Sequence, residues 1–79
     1  NRELTRLVAP ANAPLPRPET PVQSIATENE SGKDIGRVTS AAVGPLSQKA
    51  VALAYLRHEY RSSDATVLID GREWTVKRQ

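Results

Sequence analysis

The stretch Ala50-Val51-Ala52-Leu53-Ala54-Tyr55-Leu56 decides the fold, because its residues read equally well as two different elements. Leu46, Ala50, Leu53 and Ala54 recur at helical spacing, Pro45 suits the first turn of a helix, and Ala, Leu, Gln and Lys are good helix formers. As a strand, the same apolar run ending at Arg57 fits a segment buried on both faces. Taken alone, the segment leaves the two readings level, so the decision passes to the sequence around it.

Downstream, Ala65-Thr66-Val67-Leu68-Ile69 and Arg72-Glu73-Trp74-Thr75-Val76 flank Asp70-Gly71. Asp-Gly suits a type I′ turn, which needs positive φ at both central residues, so the two runs form a hairpin. A two-residue loop fixes the register, pairing Ile69 with Arg72, Val67 with Trp74 and Ala65 with Val76. Ala65, Val67, Ile69, Trp74 and Val76 then share one face. Thr66, Glu73, Thr75 and Lys77 share the other, and only Leu68 falls out of pattern. A lone hairpin is marginal in water, so this apolar face requires further strands to pack against.

Upstream, Arg2-Glu3-Leu4-Thr5-Arg6-Leu7-Val8 reads as a short strand with Leu4 and Val8 on one face and Glu3 and Thr5 on the other. Residues 9–21 hold five of the six prolines. Proline lacks a backbone donor and fixes φ, which predicts an extended Pro-rich loop over 9–21. Its Pro18-Glu19-Thr20-Pro21 satisfies P-x-x-P, a motif too short to assign a partner. Residues 22–27 form a candidate strand that turns through Glu28-Asn29-Glu30-Ser31-Gly32-Lys33 into a second over 34–42. Residues 43–49, with Gly44-Pro45, are a connection. Four to six short strands at this spacing indicate a small antiparallel barrel or sandwich.

A chain of 79 residues is about half an ordinary domain, so residues 1–79 hold one core and one domain. The absence of Cys excludes disulfides, thiolate metal sites and thiol nucleophiles, and the single His cannot make a metal site alone. The longest apolar run is far shorter than the roughly 20 residues that span a bilayer, which predicts a soluble chain without a membrane partner. Eleven Lys and Arg against nine Asp and Glu give a net charge of only +2, weak support for a nucleic-acid partner. The chain opens at Asn1 without Met or a signal-peptide pattern and reads as a segment of a longer protein.

Gly36-Arg37-Val38-Thr39-Ser40-Ala41, then Pro45 and a loop, then Ala52-Leu53-Ala54-Tyr55-Leu56-Arg57, resembles the C-terminal barrel domain of the glycine-cleavage T-protein (aminomethyltransferase) superfamily. The wording is nearest to the YgfZ-like folate-binding proteins, which are tied to iron–sulfur cluster biogenesis and tRNA modification. The motif pair covers residues 36–57, and the spacing of the outer strands extends the likeness over nearly the whole chain. The chain departs from the family in having Gly44-Pro45 for Ser-Pro and Leu46-Ser47-Gln48-Lys49 for a glycine-bearing loop. The resemblance implies that residues 50–56 are a strand and that the fold is all-β, a small six-stranded antiparallel β-barrel. In that family the folate pocket and the Lys-Gly-Cys-Tyr signature lie upstream of the barrel. The implied role is a non-catalytic accessory barrel packed against the upstream folate-binding domains of the same cytoplasmic chain. The implied cofactor is tetrahydrofolate, bound by the parent protein and not tightly by these residues. A free-standing β-barrel module that binds RNA or protein is the alternative.

Within that resemblance, the residue marked for cofactor binding is Arg37. It stands between Ile35 and Thr39 on a half-apolar face, and a guanidinium suits the carboxylates of a folate glutamyl tail. No catalytic or metal-binding residue is assigned. His58 beside Glu59 has the makings of a general base but no nucleophile or second acid near it in sequence, and it reads as solvated. Ser40, Ser62 and Ser63 lack a nucleophile-elbow context, and Ser62-Ser63-Asp64 reads as a turn. Glu28, Glu30 and Asp34 start like a Ca²⁺ loop but lack its glycine and closing glutamate. Arg57, Arg61, Arg72, Lys77 and Arg78 form a basic set with scope to gather on one side of the closing strands, but few aromatics accompany it and the hairpin register turns Trp74 inward.

Overall fold

The computed structural model describes residues 4–11, 13–44, 48–62 and 64–77. They form six strands: β1 (Leu4–Ala11), β2 (Pro21–Gln23), β3 (Asp34–Val43), β4 (Lys49–Leu56), β5 (Thr66–Ile69) and β6 (Arg72–Val76). A single 3₁₀ turn, His58–Tyr60, follows β4. All the strand pairs are antiparallel, and they close into a barrel in the order β1-β4-β3-β2-β5-β6. Residues 50–56 are therefore a strand, as the family resemblance implied, and the helical reading fails. Pro45 and Leu46, which supported it, lie outside the described residues.

β4 is the centre of this sheet because both of its edges are paired over almost their full length, to β1 on one side and β3 on the other. Its burial corrects the sequence reading in one respect. Ala50, Ala52, Ala54 and Leu56 point into the barrel, while Val51, Leu53 and Tyr55 face outward, so the strand is buried on one face only. β1 is likewise a strand with its phase reversed. Thr5, Leu7 and Ala9 are buried, whereas Leu4 is 47% exposed and Val8 is only half-buried. The Pro-rich loop is also shorter than residues 9–21, because β1 continues through Pro10 to Ala11 and β2 begins at Pro21. Pro10 is tolerated where it stands because the β1–β4 register shifts between Val8 and Ala11, and a bulge removes the need for its missing donor. β2 is held to three residues rather than spanning 22–27. Beyond it, Ser24 and Lys33 exchange bonds, the Lys33 amide donating to the Ser24 side chain (3.1 Å) and the Ser24 amide to the Lys33 carbonyl (2.9 Å).

The C-terminal hairpin has the register read from sequence: Ile69 pairs with Arg72, Val67 with Trp74, and the Val76 amide donates to the Ala65 carbonyl. Asp70 (φ 52°) and Gly71 (φ 78°) supply the positive dihedrals of the turn. Val67, Ile69, Trp74 and Val76 are buried, and Ala65 packs against them partly exposed. Together with Leu7, Val22, Ile35, Val38 and the β4 alanines they fill the barrel. The narrow wall of three alanines leaves the volume that the indole of Trp74, the largest fully buried side chain, requires.

With one three-residue 3₁₀ turn as the helical content of the described residues, far-ultraviolet circular dichroism of the chain is expected to be β-type. A helix content above about a quarter would contradict this architecture.

Candidate functional site

Because apolar side chains occupy the inside of the barrel, the concave surface available to a ligand lies outside it. A groove of about 640 Å³ runs over the β3–β4 seam and is lined by Glu19, Asp34, Arg37, Thr39, Tyr55 and Arg57, with backbone from Gly36 in its floor. Three local features build it. First, β3 bulges twice, shifting register against β2 near Ile35 and against β4 between Val38 and Ser40. The shifts let Ile35 and Val38, three residues apart, both turn inward, while Arg37 turns out opposite Tyr55. Second, Gly36 stands opposite Leu56 and lets β3 and β4 approach closely, since a Cβ there would lie 1.9 Å from the Tyr55 carbonyl oxygen. Third, the loop before β2 runs along the edge of β3 away from β4 and brings Glu19 to the groove.

That loop turns at Pro18-Glu19. The Thr20 amide donates to the Arg17 carbonyl (3.2 Å), and Glu19 takes φ 72°, the pattern of a type II turn with Pro at its first corner. The P-x-x-P residues are thus a turn running into β2. The Glu19 amide donates to the Val38 carbonyl and the Val38 amide to the Thr20 carbonyl, which ties the loop to β3. The Arg37 Nη1 makes a long 3.5 Å bond to the Glu19 carbonyl, and the guanidinium is otherwise exposed. Arg57 reaches the groove from the end of β4, where its amide donates to the Ile35 carbonyl (2.8 Å).

The groove therefore joins two guanidinium groups, a phenol and a half-buried threonine, balanced by the carboxylates of Glu19 and Asp34. The Thr39 hydroxyl is committed to the Leu53 carbonyl, and Asp34 accepts from Gln23 at 3.3 Å. Such a set can hold an anionic group by charge-assisted hydrogen bonds from Arg37 and Arg57. Sequence reasoning singled out Arg37. It did not place Tyr55, Arg57 and Glu19 beside it, because the bulges and the turn at Glu19 that bring them together leave no periodic trace.

The remaining candidates lie elsewhere. His58 and Glu59 are both exposed in the 3₁₀ turn and away from the groove. Glu28, Glu30 and Asp34 do not converge: Glu30 binds Lys33 at 3.2 Å, and among the described residues no three His, Asp or Glu side chains stand where a metal ion would sit. That bond with Glu30 is the main reason the Lys33 ammonium is held above its ordinary pKa range. Ser62 and Asp64 belong to a turn, the Ala65 amide donating to the Ser62 carbonyl, and Ser63 lies outside the described residues. The basic set is not assembled as a patch. Arg61 is buried, with its Nε donating to the Leu56 carbonyl at 2.9 Å; Lys77 is ion-paired to Asp64 at 2.9 Å; and Arg78 lies outside the described residues. Trp74 is 2% exposed and offers no stacking surface.

The family model of the glycine cleavage T-protein C-terminal barrel domain matches residues 2–78. A search of curated proteins found no match.

Proposed function

Because the chain belongs to the glycine cleavage T-protein C-terminal barrel family, we propose that it is the non-catalytic accessory barrel of a folate-binding protein related to the aminomethyltransferases. It packs against the folate-binding domains and presents the Arg37 groove to their cleft. The observation that carries this reading is the position of the groove. The barrel is filled, and the groove over the β3–β4 seam presents the guanidinium groups of Arg37 and Arg57 beside Tyr55, among the carboxylates of Glu19 and Asp34. These residues fit the carboxylates of a folate glutamyl tail. They do not enclose a pterin, because the side chains that line the groove are mainly charged or polar. Tetrahydrofolate would accordingly be held mainly by the upstream domains, with Arg37 as the barrel's contribution. The YgfZ-like branch, with its roles in iron–sulfur cluster biogenesis and tRNA modification in the cytoplasm, is supported by the wording of Gly36-Arg37-Val38-Thr39-Ser40-Ala41 and Ala52-Leu53-Ala54-Tyr55-Leu56-Arg57.

The test is Arg37→Ala in the full-length protein. Loss of one charge-assisted hydrogen bond, about 1.5 to 3 kcal/mol, is expected to weaken binding of a glutamylated tetrahydrofolate by roughly tenfold or more. A pterin without the tail is expected to bind both forms equally. Equal affinity of both forms for the glutamylated ligand would remove Arg37 from the site.

A further inference from the structure

Glu19 stands where the backbone disfavours it. It is the third residue of the turn Arg17-Pro18-Glu19-Thr20 and has φ 72°, in the left-handed region that glycine enters freely and a longer side chain resists. The turn is held in this shape from within and from β3. The Thr20 amide and hydroxyl both donate to the Arg17 carbonyl, at 3.2 and 2.7 Å, while the Glu19 amide donates to the Val38 carbonyl at 2.8 Å. Asp64 and Asp70 also have positive φ, but Asp adopts it more readily than Glu, and Asp64 is ion-paired to Lys77. Glu19 has neither compensation. Among the described residues its carboxylate has no hydrogen-bonded or ion-paired partner, although the Glu19 carbonyl lies 3.5 Å from Arg37 Nη1. The chain thus keeps a carboxylate in a strained position, on the wall of a groove, where the fold gains no bond from it.

We infer that Glu19 is a specificity-determining residue of the groove. Its carboxylate turns away ligands whose anionic face consists only of acceptor oxygens, phosphates above all, and admits a carboxylate that carries an N–H donor beside it. The inference rests on the reading of the groove as the seat of a glutamyl tail and adds which anions are refused there. Arg37 and Arg57 alone do not discriminate, since a guanidinium pairs with phosphate as well as with carboxylate. Discrimination needs a group that repels the wrong ligand. A polyphosphate presents negatively charged acceptors on every side, so beside Glu19 and Asp34 it meets like charge and offers no proton to either. An amide-linked glutamate has an N–H close to its carboxylate. With that carboxylate on Arg37, the amide can donate to Glu19, and a hydrogen bond to a charged acceptor is among the stronger ones. Asp34 is the less available of the two acids because it already accepts from Gln23 at 3.3 Å. Strain retained at a ligand wall is the usual mark of a side chain kept for the site rather than for folding.

The experiment uses the full-length protein and four variants. Glu19→Gln removes the charge and keeps a side chain in the turn, Glu19→Gly removes both, Glu73→Gln makes the same charge change on β6 outside the groove, and a double variant combines Glu19→Gln with Arg37→Ala. Tripolyphosphate and a glutamylated tetrahydrofolate are titrated into each at low salt. Both single Glu19 variants are expected to bind tripolyphosphate about fivefold tighter than the parent, a gain that added salt screens away. They are expected to bind the glutamylated ligand several-fold more weakly. The tripolyphosphate gain is expected to vanish in the double variant, and Glu73→Gln is expected to match the parent. Denaturant titration is expected to give Glu19→Gly a higher midpoint than Glu19→Gln, since glycine alone relieves the turn. Parental tripolyphosphate affinity in both single Glu19 variants would overturn the inference, as would a gain that persists in the double variant or a Glu19→Gly protein less stable than Glu19→Gln. The reading beneath it fails separately: a tripolyphosphate gain in the Glu19 variants, with unchanged affinity of Arg37→Ala for the glutamylated ligand, would sustain the exclusion of phosphate by Glu19 and refute the glutamyl seat.

Discussion

Replacing Trp74 with alanine is expected to leave the chain largely unfolded. The indole is the largest fully buried side chain, it sits on β6 opposite Val67, and the sequence contains no Phe, Met or Cys to take up its volume. Removing such a group from a core costs about 3 to 5 kcal/mol, the lost transfer energy plus that of the cavity left behind. A chain of this size has a total stability of roughly 4 to 12 kcal/mol. The loss is therefore comparable to the whole. The barrel has little with which to refill the cavity, because three of the four inward positions of β4 are alanines that have no length to extend. Thr75, the next residue, faces outward, and Thr75→Ala is expected to change stability by less than about 1 kcal/mol. Denaturant titration of the two variants measures the contrast. A Trp74→Ala protein as stable as Thr75→Ala would mean that the indole is not the core of this barrel.

Gly36→Ala is expected to rank with it. The added methyl would lie 1.9 Å from the Tyr55 carbonyl oxygen and 2.8 Å from Leu56 Cδ2. Backbone cannot give way as a flexible side chain does, so β3 must move off β4 by an ångström or more. That shift would break the pairing of Gly36 with Leu56 and the neighbouring bond from the Arg57 amide to the Ile35 carbonyl. Overpacking typically costs about 1 to 3 kcal/mol, and a clash against main chain at the barrel's best-paired seam belongs at or above the top of that range. Gly71 provides the comparison. It is needed for its positive φ, but a Cβ there meets nothing within 4 Å, so Gly71→Ala is expected to cost only about 1 kcal/mol. Equal denaturation midpoints for the two alanine variants would contradict the close approach of β3 and β4.

The parts of the fold legible in the sequence were those where one face is apolar and the other polar. Residues 65–76 alternate cleanly, and Asp70-Gly71 fixes the loop length, so register and burial both follow. β1 and β4 were misread for one shared reason. Their outer faces carry Leu4, Val8, Val51, Leu53 and Tyr55, and with apolar side chains on both faces the alternation that reveals phase disappears. In β1 the inward set even includes Thr5, so Leu4 and Val8 looked like the core face when they are the outer one. β3 was recognised as a strand, but its bulges were not, because nothing in Ile35-Gly36-Arg37-Val38 distinguishes a three-residue spacing of inward positions from ordinary alternation. Arg37 was legible through the family motif, whereas its neighbours in the groove come from another strand and from a turn eighteen residues away.

The claim that unites these points is that the barrel is packed shut and acts only from its outer surface, as an accessory to domains that hold the pterin. Calorimetric titration of a glutamylated tetrahydrofolate into the 79-residue chain tests it most directly. The expected result is no binding, or binding far weaker than a dissociation constant of about 1 μM, which corresponds to roughly −8 kcal/mol. A dissociation constant near or below that value would mean that these residues form a complete folate site, and would contradict the accessory reading.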